Sequence, residues 1–452
     1  MIVNILVGLI ILLVLALFVL LGLSRHRSIV AYLLIISLLL GPRIPVGRLT
    51  DMQRLDLRID DLLILLMFLI AGSLLLLKRI KIDYPAYMHF LVAFILVSLV
   101  SSIYAVAYYR FPLDNTFLFW VKEMEYISLC FSIPFFITKK QNLVTMLKVI
   151  CIGMAINIGW LFFQIITNTK GQLINLVDYA PSYGFTLVGD FPAFQVASIY
   201  SYALILFTIL FFLYRKKYLL LVLMLGSFIG LFASLSRSFI ASTIVAITLM
   251  FFYFIYRKKT MPIKTLAIIM IISVLIIMVG VWTFLYLKSH EFPIFRLETT
   301  ETRYALTEVR EKGIWEPLWH SFLENPILGY GKGGVGELLY NFDEAHNYYL
   351  RLLIETGILG TSFFILFLIY LTKTSFRLLN HAQTKENYII ALNMLMVTLV
   401  LCIVSFGQDG FYSSKLAIPF YINVGLINVI YMKYSREKSL KYSVKRIECH
   451  AY

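Results

Sequence analysis

Apolar runs of roughly twenty residues recur along almost the whole chain, separated by short polar connections. That is the length a helix needs to cross the hydrocarbon layer of a bilayer. The pattern predicts thirteen spans, at about 2–23, 28–41, 61–77, 87–109, 116–138, 144–168, 191–214, 218–235, 238–256, 265–287, 347–372, 388–406 and 416–433. The second is short enough to be re-entrant, which makes twelve the alternative count. The first lacks a basic leader and a small-residue cleavage site, so it reads as a retained helix rather than a signal peptide. The expected fold class is an all-α, polytopic transmembrane helical bundle. It divides into N-terminal transmembrane helices (1–287), an extracytoplasmic loop (288–346), C-terminal transmembrane helices (347–433) and a basic tail (434–452).

Composition agrees. Hydrophobic residues make up 60% of the 452 and charged residues 14%, where a soluble domain carries about 25% charged. The net charge of +15 would point to nucleic acid in a soluble protein. Here its distribution gives it another meaning. With the C-terminal tail placed inside, the inner segments hold 24 Lys and Arg against four acids, whereas the outer segments hold 15 bases and 19 acids. Positive charge on short cytoplasmic loops sets orientation, so the excess is a topology signal and no nucleic-acid partner is expected. Cys130, Cys151 and Cys402 fall in spans and Cys449 in the inner tail, so no pair faces an oxidising compartment. No Cys/His spacing suits a metal, and neither a metal nor a cofactor is expected.

Three outer segments are longer than a turn: 42–60, 169–190 and 288–346. The last has helical periodicity around 304–323 and is rich in Trp, Gly and Pro, which argues against disorder. It re-enters the membrane at AHNYYLRLLIETGILG (345–360). There His346, Asn347, Arg351 and Glu355 can share one helical face, and Gly357 and Gly360 loosen the helix. Upstream lie Arg310, Trp315, Trp319 and the turn-forming ENPILGYGKGG (324–334). An interfacial amphipathic helix with aromatic and basic anchors is the plainer reading of this region. The GxGxxG match in the glycine stretch is discounted, because no strand precedes it.

The order Arg310, Trp315, Asn325, Pro326, Gly329, Gly331, His346, Asn347, Tyr349, Leu350, Glu355, Gly357, Gly360, placed after many spans and before two more, resembles the O-antigen ligase/polymerase family of bacterial polysaccharide assembly. The resemblance is specific over about 310–360 and weaker over about 185–310. SLSRSF (234–239) resembles a second element of the family, with Ser238 where glycine is common. Charge alone already places Arg237 at an outer turn, although a cation lying at the interface is the simpler account of it.

The resemblance implies transfer of sugar from an undecaprenyl-diphosphate-linked oligosaccharide, with inversion, on the outer face of a bacterial cytoplasmic membrane, without a nucleotide sugar or a required metal. Arginine forks suit a departing diphosphate, a role for Arg237, Arg303 and Arg310, with Arg351 a further candidate. His346 suits the proton of an acceptor hydroxyl. Asn347 and Glu355 are expected to bind substrate.

Charges in or near spans add candidates. Lys122 and Glu125, three apart in the fifth span, can neutralise each other and leave Glu123 as the odd charge, facing a hydrated cavity or serving structure. Asp409, in FGQDGFY, lines the same vestibule or makes an Asp-Gly turn. Asp56, Asp60 and Asp61 open the third span, where helix capping is the leading account and a divalent-cation site the lesser one. The leading function is a polymerase joining lipid-linked repeat units, because an Ile-, Lys- and Tyr-rich composition hints at a host without lipid A. The alternatives are a ligase moving finished glycan to lipid A or a protein and, less favoured, a flippase. A chain-length regulator and a flippase are candidate protein partners.

Overall fold

Eleven of the thirteen expected spans fall on described residues, and each is helical. The structure is a computed structural model that describes residues 22–24, 26–40, 43–48, 54–77, 84–167, 193–214, 218–234, 236–257, 310–339 and 345–450. The span expected at 265–287 and all but the last two residues of the one expected at 2–23 lie outside them, as do Arg303 and the stretches 288–309 and 340–344 of the long segment 288–346. The helices are α1 (Ser28–Leu40), α2 (Ile59–Leu76), α3 (Tyr87–Tyr104), α4 (Leu113–Phe136), α5 (Lys140–Thr167), α6 (Ala193–Leu213), α7 (Tyr218–Ala233) and α8 (Arg237–Arg257). The short α9 (Glu316–Glu324) and α10 (Gly334–Leu339) precede α11 (Tyr348–Asn380), α12 (Lys385–Val404) and α13 (Ser414–His450).

Eight of these helices are long and apolar enough to cross a membrane, and the protein is a polytopic helical membrane protein. The 13-residue α1 reaches about 20 Å, short of the roughly 30 Å hydrocarbon layer. Leu65, Phe68 and Leu69 of α2 and Ile358, Ile365 and Ile369 of α11 are exposed, as lipid-facing side chains are. Inside the bundle, helices are joined by hydrogen bonds where apolar contact alone gives little preference over lipid. Tyr87 donates to Asn428 Oδ1, whose amide donates to the Cys130 carbonyl (2.9 Å), tying α3, α4 and α13. Ser201 and Thr243 tie α6 to α8 (2.6 Å).

One departure from the expected all-helical pattern is small. Segment 42–60 contains an antiparallel hairpin, β1 (Arg43–Arg48) and β2 (Arg54–Arg58), with an irregular register between Pro45 and Gly47. Its second strand ends where α2 begins. By chain alternation this hairpin shares one end of the bundle with the starts of α2, α4, α8, α11 and α13. The segment carrying α9 and α10 covers that end.

The decisive feature of the fold is a break in α11. Gly357 has φ 62° and ψ −170°, which a residue with a Cβ does not adopt without strain. Backbone groups freed by the break must find partners inside the protein, because lipid offers none. The 325–330 loop supplies them: Tyr330 N donates to Ile354 O (2.6 Å), and Ile358 N and Leu359 N donate to Pro326 O (2.8 Å) and Ile327 O (3.4 Å). The fit leaves no space. A Cβ on Gly357 would fall on the Ile327 carbonyl, and one on Gly329 (φ 71°) on that of Ile354. Gly357→Ala is therefore expected to destabilise the protein by about 2 kcal/mol or more, read as a lowered thermal midpoint in detergent. Gly72→Ala, in α2 with open space around it, is the control and should leave the midpoint within error.

Candidate functional site

The first turn of α11 accounts for all its exposed amides. Asn347 accepts from Tyr349 N (3.1 Å) and Leu350 N (3.2 Å), which is N-capping. Tyr348 N donates to Ser405 O (2.9 Å) in the turn after α12. The Asn347 side chain is therefore occupied by the cap, and the helix end offers no free amides to an anion. His346 lies just before this cap in the left-handed region (φ 50°), uncommon for a side chain of its size. It is held from both sides, since Trp315 Nε1 donates to the Ala345 carbonyl (2.9 Å).

Below this end lies a chain of five ionisable residues from four segments. Glu123 of α4 pairs with Lys332 (2.8 Å), and Lys332 with Glu355 of α11 (3.1 Å). Glu355 pairs with Arg351 Nε (3.0 Å), and the Arg351 guanidinium with Asp409 Oδ2 in the turn between α12 and α13 (2.8 Å). The Arg351 guanidinium also stacks over the Tyr412 ring at 3.7 Å. Lys332, Arg351 and Glu355 are each 1% exposed, Glu123 2% and Asp409 5%, so solvent screens none of these pairs appreciably. Glu123 is ten residues into α4, about 15 Å below its start. The Gly-rich loop thus dips into the bundle to deliver Lys332.

The loop adopts that path through Gly329, Gly331 and Gly333, all at positive φ. Its amides are taken up by protein: Gly331 N donates to Ser101 Oγ (3.0 Å), Lys332 N to Ser102 Oγ (3.1 Å) and Gly333 N to Glu355 Oε1 (3.3 Å). The glycine motif is thus a docking loop with no amides left for a phosphate.

Of the sequence-predicted residues, Glu123, Arg351, Glu355 and Asp409 come together in this buried chain, not on an open wall. His346 is half-buried and stands within electrostatic reach of Arg310 and Asp409. Arg310 is exposed at the start of the π-helical turn Glu311–Trp315, and Arg237 is exposed as the first residue of α8. Lys332 went unnoticed in the sequence. The signal that pointed to it was Glu123, an unmatched acid inside a span. The expected Lys122–Glu125 pair forms (2.9 Å), and Lys122 also reaches Asp61 of α2 (2.8 Å), which gives Asp61 a partner beyond a capping role. Among the described residues, no group of three or more His, Cys, Asp or Glu is placed to hold a metal ion.

Residues 219–365 match the model of a family described as O-antigen ligase. No curated protein matches the chain. The matched stretch takes in Arg237, Arg310, the Lys332 loop, His346 and the break at Gly357. It supports an O-antigen ligase/polymerase-like family, and with it a glycosyl-transferring activity in the broad sense. Glu123 and Asp409, the two ends of the buried chain, lie outside the match.

Burial and the Arg310 charge lower the His346 pKa from its ordinary value, and Asp409 opposes them. The imidazole should therefore be neutral at neutral pH and gain its proton only as pH falls below about 6.5. The rate of acylation of His346 by diethyl pyrocarbonate, followed by mass spectrometry, reports the neutral fraction. Its midpoint is expected below that of an ordinary histidine and lower still in Asp409→Asn, and a midpoint above 7 would contradict the assignment.

Proposed function

We propose that the protein is a glycosyltransferase of the polymerase type, joining oligosaccharide repeat units carried on undecaprenyl diphosphate at the outer face of a bacterial cytoplasmic membrane. The observation that carries this reading is His346. It is an imidazole held toward its neutral form, on strained backbone at the end of a membrane helix, with an arginine and a carboxylate acting on it. Strain of this kind persists where surrounding structure imposes it, often at functional sites.

In the proposed reaction the acceptor sugar hydroxyl attacks the anomeric carbon of the donor, and the bond from that carbon to the diphosphate oxygen breaks. The hydroxyl proton passes to the imidazole nitrogen of His346, and Asp409 favours the imidazolium so formed. The leaving lipid diphosphate carries its charge to Arg237 and Arg310, with Arg303 in the same role. Direct displacement inverts the anomeric centre. Arginines suit the leaving group because the α11 N-terminus has no amides to offer it. Asn347, Arg351, Glu355 and Glu123 contribute by shaping the wall that holds His346.

The outward orientation rests on the 24 bases of the inner segments. Polymerase is preferred over ligase on composition, rich in Ile, Lys and Tyr. The second reading is a ligase, the activity the family description names, transferring finished glycan to lipid A or a protein; the family match covers both readings alike. Deleting the gene and sizing the lipid-linked glycan separates them. A polymerase leaves single repeat units on the carrier, a ligase leaves long chains stranded on it, and a flippase leaves units unexported. His346→Ala and Arg237→Ala should each lower product about 100-fold or more with normal membrane insertion. Normal chain-length distributions in both variants would remove the catalytic roles.

A further inference from the structure

The buried chain Glu123–Lys332–Glu355–Arg351–Asp409 holds three carboxylates and two cations. With every group ionised its charge is −1. Its two ends differ in place. Glu123 lies deep in α4 and belongs to the bundle, and Asp409 lies in the last turn, where its charge acts on His346. Between them, Lys332 joins the bundle to the broken helix. Its ammonium bridges Glu123 and Glu355, while its own amide and that of Gly331 are held by Ser102 and Ser101 of α3. Ser101 Oγ also donates to the Glu355 carbonyl (2.7 Å), one of the groups beside the break at Gly357.

The two turns of α11 before Gly357 join the rest of the helix through a non-helical residue. Their position is set by the groups that grip them, and within the bundle one of these is the Lys332 ammonium on Glu355 (3.1 Å), which in turn orients Arg351 and, through it, Asp409. We propose that Lys332 is the positioning residue of the site: through Glu355, Arg351 and Asp409 it fixes the segment 346–356 that presents His346, with Glu123 anchoring its ammonium in the bundle. The link to catalysis rests on the function proposed above.

The charge count separates a positioning bridge from an effect of charge alone. Lys332→Met leaves the chain at −2, with Glu123 and Glu355 both unpaired by it. Adding Glu123→Gln returns the chain to −1 without restoring any bridge. Full-length protein in proteoliposomes is supplied with undecaprenyl-diphosphate-linked repeat units extracted from the same cells. Lys332→Met should lower kcat about 10- to 100-fold with KM for the lipid-linked donor within about threefold of wild type. Lys332→Arg should keep most activity. The double variant restores the charge but no bridge, so it should stay within about threefold of Lys332→Met. A double variant that regains about tenfold or more over Lys332→Met overturns the proposal, because charge alone then accounts for the loss.

Hydrogen exchange on the same detergent-solubilised proteins gives a readout independent of activity. Peptides covering 345–356 should lose protection in Lys332→Met and in the double variant alike, and keep it in Lys332→Arg, with α12 unchanged. If Lys332→Met does not insert, Lys332→Arg and the double variant carry both measurements. Wild-type protein that makes no product, together with this exchange pattern, removes the proposed function and keeps Lys332 as the positioning residue. Unchanged exchange over 345–356 in Lys332→Met overturns the positioning role whatever the activity.

Discussion

A cation carried to membrane depth on a loop must meet its counter-charges there, and the Lys332 ammonium meets two, Glu123 and Glu355. Leaving either side of such a buried set unpaired costs several kcal/mol, so the partners constrain one another's position strongly. The rest of the covered end follows from that constraint. The loop must dip, so it uses three glycines at positive φ. Having dipped, it lies beside α11 and can satisfy the backbone groups that the break at Gly357 leaves open. The two features depend on each other. Without the loop the break has unpaired amides in a region without water, and without the break the Pro326 and Ile327 carbonyls lose their partners.

The broken helix explains why His346 sits where it does. A continuous α11 would be positioned by its long apolar body alone. Interrupted at Gly357, its first turns are placed by charge and hydrogen bonds: Lys332 and Asp409 on the side chains, Ser405 and Asn347 on the first amides, Trp315 on the residue before the histidine. Such an arrangement fixes a polar group at the edge of an apolar bundle more narrowly than packing against lipid does. In the proposed reaction that matters, because an acceptor hydroxyl and an anomeric carbon must be aligned before a proton can move.

Hydropathy made the bundle legible. All eleven described spans are helical, because length and composition leave a membrane segment little choice; α11 and α13 continue past the ends that the apolar runs place, to Asn380 and His450. The hairpin at 43–58 was not legible, since a short polar segment between spans carries no period that forces a strand. For the site, helical spacing correctly joined Arg351 to Glu355, and charge counting correctly paired Lys122 with Glu125 and left Glu123 over. Neither could show that the counter-charge of Glu123 arrives from residue 332, more than two hundred residues away, because that contact is made by the tertiary path of a glycine loop. Asn347 resembled a binding residue in the motif, and its side chain caps the helix. A capping asparagine and a ligand-binding one look alike in sequence when the helix start is not yet fixed.

Asp409 and Arg310 act on the strained His346, which the proposed function casts as acceptor of the hydroxyl proton, while the family match over 219–365 supports glycosyl transfer in the broad sense. The most direct measurement is the stoichiometry of the purified full-length protein in proteoliposomes given lipid-diphosphate-linked oligosaccharide and no nucleotide sugar. One lipid diphosphate freed for each new glycosidic bond, with release abolished in His346→Ala, is the predicted result. Glycan extension without release of lipid diphosphate, or equal release by the His346→Ala variant, would contradict it.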